Sequence, residues 1–312
     1  MSSAFMLGLV LLAVYGLTSL LLAAVVVVAW HGGLRRKPVA AGDLLALRLL
    51  PAAGGALLVL TVVLPAFLIY EPAHEREQVG PFLVAMALFS LVAIGDGIRR
   101  AWGSCIAARS LLSDLGPADC WQVEPGRNVD IVDVEAPIVA VVGGWRPRIV
   151  AAKRVVAACS QEEFCRVIAH EAAHVSARDN LKLLLLAASP DALAWMPVGT
   201  TVANRWRIAA EFAADERATG PDPRKRVALA SALIKVARLS TAGDRDLPAL
   251  SMPVGVDDVE GRVRRLLSTP SPSYQTSAIK YLVACAGLIP MLAVPLYRVL
   301  HQLLEVLVAF GR

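Results

Sequence analysis

Residues 164–180 read FCRVIAHEAAHVSARDN, and the placement of two histidines and a glutamate in this stretch decides how the rest of the chain is read. Just upstream, Ser160-Gln161-Glu162-Glu163 has the pattern in which a serine hydroxyl and a glutamate three residues on satisfy each other's free amides, so a helix is expected from about residue 161. Phe164, Val167, Ile168 and Val175 recur at helical spacing, and no proline interrupts the run through His174. Positions four apart on a helix share a face. His170 and His174 therefore present two imidazoles to one point, with Glu171 a step around the helix and within reach of a water there.

This pattern suits Zn2+ and the hydrolysis of an amide bond. A catalytic zinc takes three protein ligands and keeps a fourth position for water. The other histidines, His31, His74 and His301, fall in or beside apolar segments, so a carboxylate is expected as the third ligand. The candidate lies in AAEFAADERA, residues 209–218, where Glu211 and Asp215 are four apart on an alanine-rich, helix-favouring run. Glu211 is expected to coordinate, and Asp215 to accept a hydrogen bond from a ligand imidazole and so fix its tautomer. Arg262, in GRVRRLL, is the candidate oxyanion stabiliser, since no histidine is free for that task; the alternative is an ordinary exposed basic helix.

The rest of the chain is too apolar for an ordinary soluble fold, with 56% apolar residues and a mean hydropathy of +0.58. Uncharged runs at Ala4 to Trp30, Leu49 to Tyr70 and Gln78 to Gly95 are expected to cross a membrane, as is Tyr281 to Tyr297, kinked by Pro290 and Pro295. The first lacks the basic start and cleavage site of a secretory signal and is expected to stay in the protein. Arg35, Arg36, Lys37 and Arg48 lie between spans one and two, and Arg99, Arg100 and Arg109 follow span three, whereas the intervening EPAHEREQ is net acidic. Basic loops belong in the cytoplasm, which puts the amino terminus and the tail RVLHQLLEVLVAFGR outside. The expected division is 1–98 for three spans, 99–278 for a cytoplasmic domain, and 279–312 for a fourth span and short amphipathic tail. The formal charge of +5, with basic residues beside apolar runs, points to lipid headgroups as partners and not to nucleic acid. Five cysteines without a CxxC pair indicate neither a disulfide framework nor a cysteine metal site.

Between Gly126 and Lys153, short runs rich in Val and Ile suggest two or three strands of a small sheet, whose edge near GGWRPRIV could take a peptide as an added strand. The apolar run LKLLLLAASPDALAWMPVG sits between His174 and Glu211. One crossing there would put the ligands on opposite sides, and two would need roughly 40 residues. Leu181 to Trp206 is only 26 residues, so the run is expected to stay on one side as a buried or interfacial segment.

In PRIVAAKRVVAACSQEEFCRVIAHEAAHVSARDNL and EFAADERA the chain resembles the membrane gluzincin metallopeptidases of the BlaR/MecR type, the beta-lactam sensor and signal-transducer proteins. The resemblance covers about residues 137 to 220. That family has three spans before the zinc domain and one after it. The HtpX-type heat-shock proteases and CAAX prenyl endopeptidases share the zinc motifs, but an HtpX-type chain normally has two spans before the motif. The fold class implied is an α+β integral membrane protein of about four transmembrane helices with a cytoplasmic gluzincin-like zinc metalloprotease domain, a small sheet plus active-site helices, between spans three and four. The activity implied is zinc-dependent cleavage of a protein substrate at the inner face of the cell membrane, with Glu171 as base, in regulated signalling through cleavage of a cytosolic repressor or of the chain itself. No S-x-x-K site or K-T-G triad follows the last span, so direct beta-lactam sensing is not expected and any signal would come through the spans or from a separate sensor protein. The alternatives are a quality-control protease of HtpX type and a non-catalytic receptor that keeps zinc for structure.

Overall fold

In hydrocarbon every backbone amide must find its partner within its own segment, so long uncharged runs become helices. The computed structural model describes residues 3–70, 79–116, 118–124, 127–239 and 256–268. It contains α1 (Ser3–His31), then α2 (Ala41–Leu58) and α3 (Leu64–Tyr70) joined by a π turn over Val59–Val63, then α4 (Pro81–Asp114). These form three helices long and apolar enough to cross a membrane: Ala4–His31, Ala41–Leu68 and Pro81–Asp114. The expected fourth span and tail, and the acidic loop at 71–78, lie outside the described residues. At about 1.5 Å per residue α4 is about 51 Å long, well over the roughly 30 Å of a hydrocarbon core. It runs past Gly95 through Arg99, Arg100 and Arg109, so the basic stretch expected as loop is helical.

The described residues fall into two units, one built from 3–70, 79–99 and 188–205, the other from 100–187 and 206–268. The apolar run after the histidine helix is broken into short elements. Short α7 (Asp179–Ala188) leads to a single 3-10 turn, Ala192–Trp195. Residues 188–196 touch all three spans. The Tyr15 hydroxyl of α1 donates to the Pro190 carbonyl at 2.7 Å, Arg48 of α2 pairs with both Asp191 oxygens at 2.9 and 3.1 Å, and Trp195 donates to Asp96 of α4 at 2.9 Å. Leu193 packs with Ala23 and Val26. Gly97 and Gly199 permit this approach, because a Cβ at either would run into the carbonyl of Ala188 or of Leu193. Arg48 therefore does not belong with the loop charges. It is buried inside a span, where an unpaired charge would be costly, and Asp191 is the reason it is tolerated.

The second unit is built on a four-stranded sheet, β1 (Ala118–Glu124), β2 (Arg127–Val132), β3 (Val139–Val142) and β4 (Arg148–Ala152), in the order β1-β2-β4-β3. β2 and β4 are parallel; the other two pairs are antiparallel. Three strands lie where the Val/Ile pattern put them. β1 lies upstream, and its mixed, largely exposed sequence ADCWQVE gave no periodic signal. Val129, Ile131, Val141, Ile149 and Ala151 bury one side of the sheet against α5 (Lys153–Ala158), α6 (Gln161–Ala177), α9 (Pro223–Leu239) and α10 (Val256–Leu267). Phe164, Val167 and Ile168 of α6 lie in this core, as their spacing implied. The remaining helix is α8 (Pro197–Thr219).

Candidate metal centre

Helix α6 begins as its sequence dictates. The Ser160 side chain accepts from the Glu163 amide, and the Glu163 carboxylate accepts from the Ser160 amide at 2.6 Å. Glu163 is held further by Lys235 and Ser231 of α9, each at 2.6 Å. The helix ends at Arg178, whose left-handed φ of 55° breaks the hydrogen-bond ladder. The chain then turns sharply enough for Asp179, the first residue of α7, to reach back to His174.

His170 and His174 are buried on one face of α6, with Glu171, also buried, beside them. Across from them α8 brings Glu211 and Asp215, four apart and on one face. His170, His174 and Glu211 converge as a group able to hold a metal ion. The His170 and His174 Nε2 atoms are 3.1 Å apart; Glu211 Oε2 is 3.3 Å from the first and Oε1 3.4 Å from the second. A tetrahedral ion with bonds of about 2.0–2.1 Å sets its donors roughly 3.3 Å apart, close to the spacing of the two imidazole nitrogens from each other and of each from one of the two Glu211 oxygens.

Both imidazoles are oriented from behind. His170 Nδ1 donates to Asp215 Oδ1 at 2.8 Å, and His174 Nδ1 donates to Asp179 Oδ2 at 2.8 Å. That bond fixes the proton on Nδ1 and turns the Nε2 lone pair of each ring toward Glu211. Asp179 was not singled out from the sequence. Its signal is faint, a carboxylate five residues after His174, and only the turn at Arg178 makes it a neighbour. Lys182 in turn holds Asp179 at 2.8 Å.

Arg262 of α10 is not on an exposed basic face; it is 1% exposed. Its guanidinium forks onto Asp215, with Nε donating to Oδ2 at 2.9 Å and Nη2 to Oδ1 at 2.6 Å. Nη1 lies 2.8 Å from Glu211 Oε2. That contact is an ion pair off hydrogen-bond alignment, since Oε2 is buried and accepts no hydrogen bond. An acceptor left in that condition fits a carboxylate with a lone pair to give to a metal.

These contacts also set the charge balance of the cluster. Burial by itself would lower the imidazole pKa values, yet Asp215 and Glu211 raise that of His170, and Asp179 and Glu211 raise that of His174 to about 10. Burial would push the Glu211 carboxyl up, but the two histidines and Arg262 hold it well below its ordinary range. Glu171 is raised by burial, which outweighs the opposing pull of His170, His174 and Arg262. Four carboxylates, Glu171, Asp179, Glu211 and Asp215, face two cations, Arg262 and Lys182. With both imidazoles neutral, as ligation requires, and all four carboxylates ionised, two negative charges remain, which a divalent ion would balance.

The sheet edge beside α6 is β3. Asn180 donates from Nδ2 to the Val141 and Gly143 carbonyls at 2.9 and 3.0 Å, so a peptide added along this edge would compete with Asn180 there.

Residues 122–266 match the family model described as BlaR1 peptidase M56. The match takes in the residues from β2 to Arg262, including His170, Glu171, His174, Glu211 and Asp215. No curated protein matches the chain.

Proposed function

We propose that this BlaR/MecR-type chain is a membrane zinc endopeptidase that cleaves a protein substrate at the cytoplasmic face. The observation that carries the reading is the convergence of His170, His174 and Glu211, with the two Nε2 atoms 3.1 Å apart, each within 3.4 Å of one Glu211 oxygen, and each imidazole backed by a carboxylate. Zinc suits it through its preference for nitrogen and oxygen donors in tetrahedral array with one open position.

The chemistry a bound zinc supplies is a lowered pKa for the attacking water and polarisation of the scissile carbonyl. Glu171 does the proton work, taking a proton from that water and passing it to the departing amine. Burial raises its carboxyl above the ordinary range, which makes it a stronger base for that proton. Asp179 and Asp215 keep the imidazoles in the ligating tautomer, and their negative charge makes the ligands more basic.

A cytoplasmic catalytic unit is supported by Arg35, Arg36 and Lys37 between the first two spans, even with Arg48 withdrawn from that count. Thiol labelling of a cysteine placed at Arg109, blocked in intact cells and restored on lysis, is the outcome this orientation requires. A regulatory role, cleaving a cytosolic repressor or the chain itself on a signal from the spans or a separate sensor, is supported by the BlaR/MecR-type match over the HtpX alternative.

The decisive experiment is Glu171→Gln in the full-length protein. Glutamine keeps the shape and leaves the ligands alone, so zinc content should stay at one per chain. Proteolysis or self-cleavage should fall by about 100- to 10,000-fold, the usual worth of a general base. A receptor with structural zinc would keep its cellular output in Glu171→Gln and lose it in His174→Ala; that pair of results would overturn the enzyme reading.

A further inference from the structure

The fork from α10 reaches three residues of the site. Arg262 touches Asp215 twice and Glu211 once, its Nη2 lies 3.4 and 3.3 Å from Nδ1 and Nε2 of His170, and Asp215 in turn holds His170. One buried guanidinium thus sits behind two of the three candidate ligands. Its Nε and one Nη2 hydrogen are committed to Asp215, and Nη1 faces Glu211 Oε2. At 1% exposure, little of it is open to a substrate carbonyl.

The geometry points to Arg262 as a positioning residue that clamps Asp215 and Glu211 together and so sets the metal-binding face. The inference rests on the metal-centre reading above and assigns the arginine a role other than donation to an oxyanion. Bidentate contact fixes the plane of the Asp215 carboxylate, which fixes the His170 ring. The ion pair at Glu211 supplies positive charge without occupying the Oε2 lone pairs along a hydrogen-bond line, so the carboxylate is steered and still free to ligate. Without the guanidinium, Glu211 and Asp215 would be two buried anions four residues apart on one helix, repelling each other. A lysine could balance charge but could not make the planar fork.

The test uses the full-length protein in detergent and reads zinc retention directly, by the rate at which a chromophoric chelator strips zinc from each variant. Arg262→Gln should lose zinc about 10- to 100-fold faster, as when an outer partner of a metal ligand is removed. Arg262→Lys, which keeps the buried charge and guards against simple unfolding, should fall between Arg262→Gln and the wild type. Ethylguanidinium added to Arg262→Ala should slow zinc loss, a rescue that a merely structural role would not give. Casein cleavage by the same samples separates the alternative: an oxyanion stabiliser would lower kcat while zinc is held as in wild type. Unchanged zinc loss in both Arg262→Gln and Arg262→Lys would overturn the clamp and leave the metal centre standing. A wild-type chain that takes up no zinc would overturn both.

Discussion

Replacing Arg48 by methionine removes the only cation paired with Asp191 among the described residues and leaves a carboxylate inside the membrane unit. The side chains are 4% and 0% exposed, and both Asp191 oxygens lie within 3.1 Å of Arg48 Nη1. Ser189 donates to the same carboxylate but brings no charge. Breaking one side of such a pair typically costs about 3–5 kcal/mol, because the surviving ion keeps its desolvation penalty without its Coulombic return. At about 2–4 °C per kcal/mol for a chain of this size, the apparent melting midpoint should drop by about 6–20 °C. Replacing both partners, Arg48→Met with Asp191→Leu, removes the charges together, and the midpoint should recover most of that loss. Intrinsic tryptophan fluorescence during heating in mild detergent gives all the midpoints of the double-mutant cycle. A single-variant cost under about 1 kcal/mol, or a double variant as damaged as the two singles added, would refute the claim that this pair seats residues 188–196 among the spans.

Asp179→Asn should weaken zinc binding by about 10- to 100-fold, measured by chelator competition, because the amide cannot hold the His174 tautomer as a carboxylate does. Gly199→Ala should destabilise the chain by about 1–3 kcal/mol in the same melting assay, since its Cβ would meet the Leu193 carbonyl, a backbone atom that cannot swing away. Glu163→Gln should cost about 1.5–3 kcal/mol at pH 7 through its weakened bonds to Lys235, Ser231 and the Ser160 amide. Although burial opposes it, those partners hold the Glu163 carboxyl down at about pH 2, from an ordinary 4.5. A depressed carboxyl gives its full stability above the unfolded value and loses it as pH falls through the folded one. The gap between wild type and Glu163→Gln in urea melts should therefore be constant above about pH 5 and shrink steadily below about pH 4.5.

The sequence by itself determined the elements whose signal is local and periodic. Three helices long enough to cross a membrane follow from unbroken apolar length, α6 from its capping box and hydrophobic spacing, and a small sheet of two or three strands from Val- and Ile-rich runs between turn residues. The ligand pair was legible for the same reason, since four residues on a helix is a fixed distance. Glu211 was reached by exclusion and Asp215 by its spacing from Glu211, which a regular helix makes reliable. What only the tertiary structure decided is what no local period encodes. Arg48 read as a loop cation because its partner, Asp191, is 143 residues away, and Asp179 was passed over because one left-handed residue turns it back onto His174. That Arg262 is buried against Asp215 could not be read from the sequence, because that partner is 47 residues away. Hydrophobic periodicity reports which face of an element is buried; which charges meet on that buried side depends on the packing of elements far apart in sequence, and in a low-dielectric interior that meeting decides whether each charge can be there at all.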